Sequence, residues 1–176
     1  MKKIIYILLL VNLSNFVNGQ IAIGKASING NSTILDFEDS VGNTKGIILP
    51  AVDNVTNALA TVTSDNNGTF LFDKSDSKIK MYQNNMWVNL SDAGNNTAIP
   101  ANSSLEYASH QGIIMGAPSS GAKGVLVLES ANKAMILPKI ANPHSTVKNP
   151  YPGMMCYDIT SKTLAVFDGT VWNYWN

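Results

Sequence analysis

The sequence predicts an all-β protein made of two repeated units, each with a short front strand and a three-stranded antiparallel meander, joined by a loop-rich linker. Three observations predict this fold. Short runs of aliphatic and aromatic residues alternate with turns of Asn, Asp and Gly, as they do in hairpins. A long segment of the chain occurs twice at a constant offset. Only one short stretch is a candidate for a helix.

The internal repeat is the strongest of these signals. Residues 68–87 align with residues 153–172 without a gap, at an offset of 85 residues (153 − 68). Upstream, each unit has an apolar run closed by Pro, at residues 46–50 and 134–138. A third front element, residues 105–107 followed by residues 112–115, which align with 46–49, lacks the hairpin and the Trp. These similarities indicate a duplication.

The repeat divides the chain into five segments. They are a signal peptide (1–19), an N-terminal extension (20–33), repeat unit 1 (34–90), a linker with a degenerate front element (91–124) and repeat unit 2 (125–176). The predicted meander strands are 68–73, 78–83 and 86–90 in unit 1, and 153–158, 163–167 and 171–175 in unit 2. The only helical candidate is 53–60, with one or two turns, because its residues are poor helix formers.

The turns of the two meanders have recognisable chemistry. Asp73 and Asp158 each open the first turn of a hairpin, where a carboxylate accepts hydrogen bonds from the backbone ahead of it. The second turn is Asn84-Asn85 in unit 1 and Asp168-Gly169 in unit 2. Both pairs tolerate positive φ, which predicts two-residue type I′ turns.

The N-terminus has the three parts of a secretory signal. Two lysines precede an unbroken apolar run at residues 4–11. That run is shorter than the roughly 20 residues of a membrane span and is typical of a signal peptide, although a permanent anchor is the alternative. Val17 and Gly19 are small enough to place the cleavage before Gln20. We therefore expect an exported protein at the cell surface, outside the cell or in the periplasm, with no transmembrane span after cleavage.

Charge argues against a nucleic-acid partner. The chain has 12 basic and 12 acidic residues, and every basic residue is Lys. Removal of the signal peptide and its two lysines leaves a net charge of −2 (12 − 2 − 12). Without Arg there is no guanidinium for bidentate phosphate contacts, and no basic run replaces it. No nucleic acid is expected to bind.

No catalytic residue, cofactor site or metal site is predicted. The sequence lacks Gly-x-Ser-x-Gly, a Gly-rich phosphate loop and His-Glu-x-x-His. His110 and His144 lie in unrelated loop contexts, and Cys156 is interpreted as a buried apolar residue. Asp73 and Asp76 are two carboxylates in one loop, but Ca²⁺ takes about six to eight oxygen ligands. An Asx turn explains this loop better. We expect a protein that is not an enzyme.

Five aromatic side chains of the meanders are candidate contact residues for a sugar or a protein partner. Alternation along a strand places two of the C-terminal ones on one face and Trp175 on the opposite face. We expect Trp87 and Trp172 to pack in the core because they recur at equivalent positions, and Trp175 to be the most exposed. The five candidates are Trp175, Tyr174, Trp172, Tyr82 and Trp87.

Three motifs carry a family resemblance: Lys-Gly-Ile-Ile-Leu-Pro at 45–50, Gly-Met-Met-Cys-Tyr-Asp at 153–158 and Asp-Gly-Thr-Val-Trp at 168–172. This pattern resembles a module of exported surface-type repeat proteins of Bacteroidetes (flavobacterial proteins), and also segments of phage tail-fibre-like proteins. The chain departs from the pattern at Ala51 and Lys139, where Arg is usual. The resemblance implies a surface or fibre role without a known catalytic activity.

Size and open strand edges predict self-association. A unit of about 50 residues buries too small a share of its surface to be stable alone. A three-stranded meander also leaves two edges that must be covered. The leading hypothesis is therefore a structural or adhesive module that forms a homo-oligomer, with a trimer implied by fibre analogy. The alternatives are a carbohydrate-binding module that uses the meander aromatics, and an accessory subunit of an outer-membrane or secretion complex. Their partners are a surface glycan or other surface proteins.

Overall fold

The computed structural model describes residues 19–59, 63–101 and 112–176. The predicted signal peptide lies outside these ranges except for Gly19, and His110 and linker residues 102–111 also lie outside them. Within the described ranges the protein is all-β, which confirms the predicted fold class. The helices found there are too short to cross a membrane.

The described elements follow one another in three groups. The first group contains β1 (Ile21–Ile23), β2 (Thr33–Phe37), β3 (Ile47–Ile48) and β4 (Ala51–Val52). The second contains α1 (Val55–Ala58), a 3₁₀ turn (Ser64–Asn66), β5 (Phe70–Asp73), β6 (Lys78–Gln83) and β7 (Met86–Asn89). The third contains β8 (Ile113–Met115), β9 (Leu126–Leu128), β10 (Ala134–Ile136), β11 (Lys139–Ile140), α2 (Pro143–Thr146), β12 (Met154–Asp158), β13 (Thr163–Phe167) and β14 (Trp172–Trp175).

The two meanders form as predicted, and each gains a fourth strand. The N-terminal sheet has the order β4-β5-β6-β7, and the C-terminal sheet has the order β11-β12-β13-β14. In each, the first strand is parallel to its neighbour and the other three are antiparallel. We call residues 51–90 the N-terminal meander and residues 139–175 the C-terminal meander.

A glycine β-bulge begins the antiparallel part of each meander. The N–H of Gly68 donates to the carbonyl of Tyr82 at 2.8 Å, and the N–H of Tyr82 donates to the carbonyl of Thr69 at 2.8 Å. Two residues of one strand therefore face one residue of the next, which defines a β-bulge. Gly153 repeats this geometry against Phe167, also at 2.8 Å. The two glycines have φ of 92° and 87°, a region that other residues rarely adopt.

One of the two predicted type I′ turns is confirmed. Asn84 and Asn85 have φ of 52° and 62°, so both central residues are left-handed, as this turn requires. The prediction for Asp168-Gly169 is wrong, because only Gly169 has positive φ. There the Asp168 carboxylate accepts the N–H groups of Thr170 and Val171, each at 2.8 Å, and closes a wider loop.

The helical prediction is confirmed in part. α1 lies inside the predicted range and has a single turn. However, residues 53–60 are not the only helical segment, because α2 follows β11 just as α1 follows β4. Pro143 occupies the first turn of α2, where its fixed φ favours a helix and its missing N–H costs nothing. Four residues are too few for an apolar period to appear in the sequence.

The front strands pair in a way that the sequence did not predict. β3 pairs antiparallel with β12, with Ile48 opposite Met154 and Ile47 opposite Met155. In the other direction, β10 pairs in parallel with β2. The front strand of each repeat is therefore held by the other repeat.

Two further parallel pairs resemble each other. β1 pairs with β2, and β8 pairs with β9. The repeat pattern in the sequence aligned residues 112–115 with residues 46–49. Because β8 pairs in parallel with the next strand, as β1 does, the structure makes β8 equivalent to β1 instead. The domain boundaries given above stay a prediction.

The largest apolar cluster lies between the two meanders. Phe72 and Ile79 of the N-terminal meander pack with Met155 and Val166 of the C-terminal meander, and Leu49 joins them from the segment after β3. The segment after the N-terminal meander adds a polar contact, because the N–H of Asn95 donates to the carbonyl of Asp168 at 2.9 Å. The two meanders thus share one core, as units too small to fold alone must do.

Candidate contact surfaces

The two hairpin carboxylates form the predicted Asx turns. Oδ1 of Asp73 accepts the N–H of Ser75 at 2.9 Å, and Oδ1 of Asp158 accepts the N–H of Thr160 at 2.9 Å. Both carboxylates are buried, with 1% and 2% exposure. They therefore serve to close the hairpins and are not free to face a ligand.

Lys80 occupies the position between the two loop carboxylates that were considered as a metal site. Its Nζ lies 2.8 Å from Oδ2 of Asp73 and 2.8 Å from Oδ2 of Asp76. Burial raises the pKa of the Asp73 carboxyl, but hydrogen bonds from Lys80 and Ser75 outweigh it and hold that pKa below its ordinary value. The described residues contain no cluster of three or more His, Cys, Asp or Glu side chains that would hold a metal ion.

The C-terminal meander stabilises its carboxylate differently. The residue equivalent to Lys80 is Ala165 (80 + 85), so no ammonium group is present there. Asp158 instead accepts the N–H of Asn142 at 3.0 Å and the hydroxyl of Ser161 at 2.7 Å. Burial of Asp158 raises its pKa, but these bonds and the Thr160 N–H lower it below the ordinary value. The same turn is thus built with and without a salt bridge.

The first aromatic pair lies on the N-terminal meander. The rings of Tyr82 and Trp87 meet edge to face, with centroids 5.1 Å apart. Tyr82 is buried, and Trp87 is half-buried. This pair mainly covers one face of the sheet, so the expectation that Trp87 belongs to the core is met only in part.

The second aromatic group lines a shallow groove on the C-terminal meander. Trp172 packs on Phe167, with ring centroids 5.5 Å apart. The Tyr174 hydroxyl lies 3.0 Å from Nδ1 of His144 on α2. Burial and the nearby Asp158 charge raise the pKa of Tyr174, so its hydroxyl stays protonated at neutral pH. All four residues line the groove together with Val147 and Pro150. Trp172 and Tyr174 therefore share a face, as strand alternation predicted.

Trp175 is exposed on one side and anchored on the other. It has 43% exposure, while Tyr174 has 38%. Its Nε1 donates to the carbonyl of Leu90 at 2.5 Å, and Leu90 is the equivalent residue of the other meander (175 − 85). The five candidate aromatics thus lie in three separate places and do not form one site.

Cys156 is buried with no exposure, as predicted. Burial and the Asp158 charge raise the pKa of its thiol to about 12. A thiol with such a pKa carries almost no thiolate at neutral pH and is a poor nucleophile. Cys156 therefore serves as a packing residue of the cluster beneath α2.

Several exposed aliphatic side chains lie on the short front strands. Ile113 and Leu126 lie opposite each other in the β8–β9 pair and have 60% and 44% exposure. On the other front strands, Ile21, Ile23 and Ile48 are also exposed. Adjacent exposed apolar groups, such as Ile113 and Leu126, mark interaction surfaces. We call Ile21, Ile23, Ile48, Ile113 and Leu126 the front surface. Its residues are aliphatic, so the search for aromatic candidates missed them.

Comparison with known proteins gives one match. Residues 112–176 match a family model described as a phage tail like trimerisation region, which covers 65 of the 176 residues (176 − 112 + 1). The matched segment contains β8 to β14 and so includes the complete C-terminal meander. This match supports the resemblance to tail-fibre-like proteins. No curated protein and no solved structure matches the chain.

Replacement of Lys80 by Met tests the buried charge pair. The variant leaves the Asp73 carboxylate buried without its cation, so we expect a loss of about 3 kcal/mol in the free energy of unfolding at pH 7. In the wild-type protein the folded pKa of Asp73 lies below its unfolded value of about 3.9. Its stabilisation is therefore present above that pH and is lost as the pH falls through the folded pKa.

Urea unfolding of K80M and wild type at pH 7, 5 and 3 measures this effect. We expect the difference between them to shrink towards pH 3, because Asp73 of the variant, which is buried without its cation, takes up a proton. The double variant D73N/K80M is the control, and at pH 7 it should be more stable than K80M. A difference that stays constant with pH would show that Lys80 stabilises the hairpin through its aliphatic stem alone.

Proposed function

We propose that this chain is a non-enzymatic structural module that forms a homotrimer through its β-strands and takes part in a surface or fibre-like assembly. The observation that carries the proposal is the front surface, whose exposed aliphatic side chains lie on short strands at the edges of the described sheets. The similarity of residues 112–176 to a phage tail like trimerisation region supports it.

The composition of the front surface favours a protein partner. Its side chains are aliphatic and lie on strands of two or three residues, which are too short to be stable without neighbours. Association of several copies buries such side chains and pairs the open edges of their strands. Burial of about 100 Å² of apolar surface contributes roughly 2.5 kcal/mol, so a few such residues per interface suffice.

Charge substitutions on the front surface test the trimer. We expect the purified protein to have three times the mass of one chain by light scattering coupled to size-exclusion chromatography. Variants I113K and L126K should shift it to one chain, because each places an ammonium group in an apolar interface. Circular dichroism should stay unchanged, since both side chains are exposed within the chain.

Met86→Lys is the matched control for these variants. Met86 has 62% exposure but lies at the tip of the β6–β7 hairpin, away from the front strands. The trimer mass should survive this change. A wild-type protein that runs as a monomer, or a Met86→Lys variant that dissociates as readily as I113K, would contradict the proposal.

We further propose that the protein is exported. The support is the lysine start, the short apolar run and the small residues before Gln20. The resemblance to exported Bacteroidetes surface proteins agrees with it. If the protein is exported in a bacterial host with general secretion, mass spectrometry should find a mature N-terminus at Gln20, in part cyclised. Gly19→Phe should block that cleavage, whereas recovery of only the uncleaved chain from wild type would indicate an anchor.

A carbohydrate-binding role is the second candidate, and one observation favours it. Trp172 and Tyr174 share an open groove with His144, an arrangement in which a ring can stack on a sugar. A glycan array with wild type and the W172A and Y174A variants tests it. We expect weaker glycan signals for both variants and no change for W87A, which lies on the other meander. Equal signals for all four proteins would remove this candidate.

A further inference from the structure

The contact between the two repeats is heterologous, because different surfaces of each repeat meet. β3 of the first repeat adds to the edge of β12, while β10 of the second repeat adds to the edge of β2. A heterologous contact leaves one unused half of the interface at each end. In the first repeat, the unused half is the edge of β5, which is equivalent to the edge of β12. In the second repeat, it is the edge of β10, which is equivalent to that of β3.

The two equivalent sheet edges differ in their surroundings. In the C-terminal meander, Gly153 is buried, and a Cβ placed on it would lie 3.6 Å from the carbonyl oxygen of Leu49. The Leu49 N–H donates to the Gly153 carbonyl at 3.0 Å. In the N-terminal meander the equivalent Gly68 is exposed, and a Cβ placed on it would have no neighbour within 4 Å. No described residue thus fills, in the N-terminal meander, the place that β3 fills in the C-terminal one.

The residues next to these glycines show the same difference. Met154 and Met155, which pair with β3, are buried, with 6% and 2% exposure. Their equivalents Thr69 and Phe70 are only half-buried. Among the described strands, β5 pairs with β4 and β6 and with no third strand. The Phe72 N–H donates towards the β4 side, at 2.9 Å to Pro50, so the Phe70 N–H two residues earlier points to the same, open edge.

We propose that the β5 edge at residues 68–70 binds residues 135–137 of a second copy of this chain, as an added antiparallel strand. This inference rests on the proposed self-association and adds a backbone contact to the side-chain contacts of the front surface. The equivalent of β3 in the second repeat is Met135-Ile136 (47 + 88 and 48 + 88). The register of β3 on β12 then places Ile136 of the second copy opposite Thr69, and Met135 opposite Phe70.

β10 has the unpaired edge that this pairing needs. It ends the order β1-β2-β10 in the described part of the chain. The Ala134 N–H donates to Ser32 on the β2 side at 2.9 Å. The register on β2 shifts between Ala134 and Met135. By equivalence with Ile47 and Leu49, whose backbone groups face the edge of β12, Met135 and Leu137 direct theirs to the free edge. Three hydrogen bonds follow: two between Met135 and Phe70, and one from the Leu137 N–H to the Gly68 carbonyl.

The pairing starts at Met135 for a steric reason. Gly46, which precedes β3, lies so close to β12 that a Cβ on it would be 2.7 Å from the carbonyl oxygen of Met155. Its equivalent in the second repeat is Ala134 (46 + 88), which has that Cβ. The strand of the second copy therefore pairs with β5 from Met135 onward. Backbone hydrogen bonds and apolar side chains hold it there, as in other complexes formed by β-strand addition.

Engineered disulfides test the pairing in the purified full chain with Cys156 changed to Ala. Facing residues outside the hydrogen-bonded pairs lie about 4.5 Å apart at Cα, which suits a disulfide. We expect Thr69→Cys chains mixed with Ile136→Cys chains to form a mixed disulfide dimer under mild oxidation. The control pair Ile48→Cys with Met154→Cys should close within one chain and leave its mass unchanged.

The outcomes separate this inference from the proposed function. If light scattering shows a trimer but the mixed chains do not cross-link while the control pair closes, the β5 edge is not the interface and only this inference is overturned. A monomer overturns both. A disulfide within one chain in the double variant T69C/I136C also overturns the inference. If a variant does not fold, amide exchange in the wild type decides, because the Phe70 N–H should be protected in the oligomer and exchange freely on dilution to monomer.

Discussion

The fold depends on the pairing of β3 with the edge of β12. Without this strand, the backbone groups of Gly153 and Met155 on that side would have no partner, and an unpaired buried backbone group costs free energy comparable to a lost hydrogen bond. The same contact brings Leu49 into the cluster shared by both meanders. The C-terminal meander has a small cluster of its own around Cys156, but the cluster that contains Leu49 draws its buried side chains from both meanders.

The local structure was predictable from sequence because it depends on neighbouring residues. Asn84-Asn85 determines a type I′ turn, and the carboxylates of Asp73 and Asp158 determine the hairpin turns that follow them. Asp168 shows the limit of this reasoning. Asp-Gly suits a two-residue turn, but this carboxylate also accepts a side-chain hydrogen bond from Asn173 at 2.7 Å, and together these contacts favour a wider loop.

The long-range pairings were not predictable for a physical reason. β3 has two residues and β10 has three, so neither shows an alternation that distinguishes a strand from a loop. Their partners lie about 100 residues away, and nothing in an apolar run closed by Pro specifies which sheet it joins. The contact residues were missed in the same way. The search favoured aromatic side chains, whereas the exposed residues of the front strands are aliphatic.

The two meanders differ in how they are held. The inner contact has a specific polar anchor, because the Trp175 indole donates to Leu90, and the smaller Leu at the equivalent position has no such donor. The open edge of β5 instead offers backbone groups, which recognise any strand of suitable register. A chain with one occupied and one open copy of the same interface is therefore suited to assembly: the side-chain contacts make the first pairing specific, and the backbone edge extends it. The charge pair of Asp73 and Lys80 lies in the meander with the open edge, and the residue equivalent to Lys80 in the other meander is Ala165. The salt bridge then stabilises the hairpin before a second copy binds. An edge that binds through backbone geometry alone requires such a preformed hairpin.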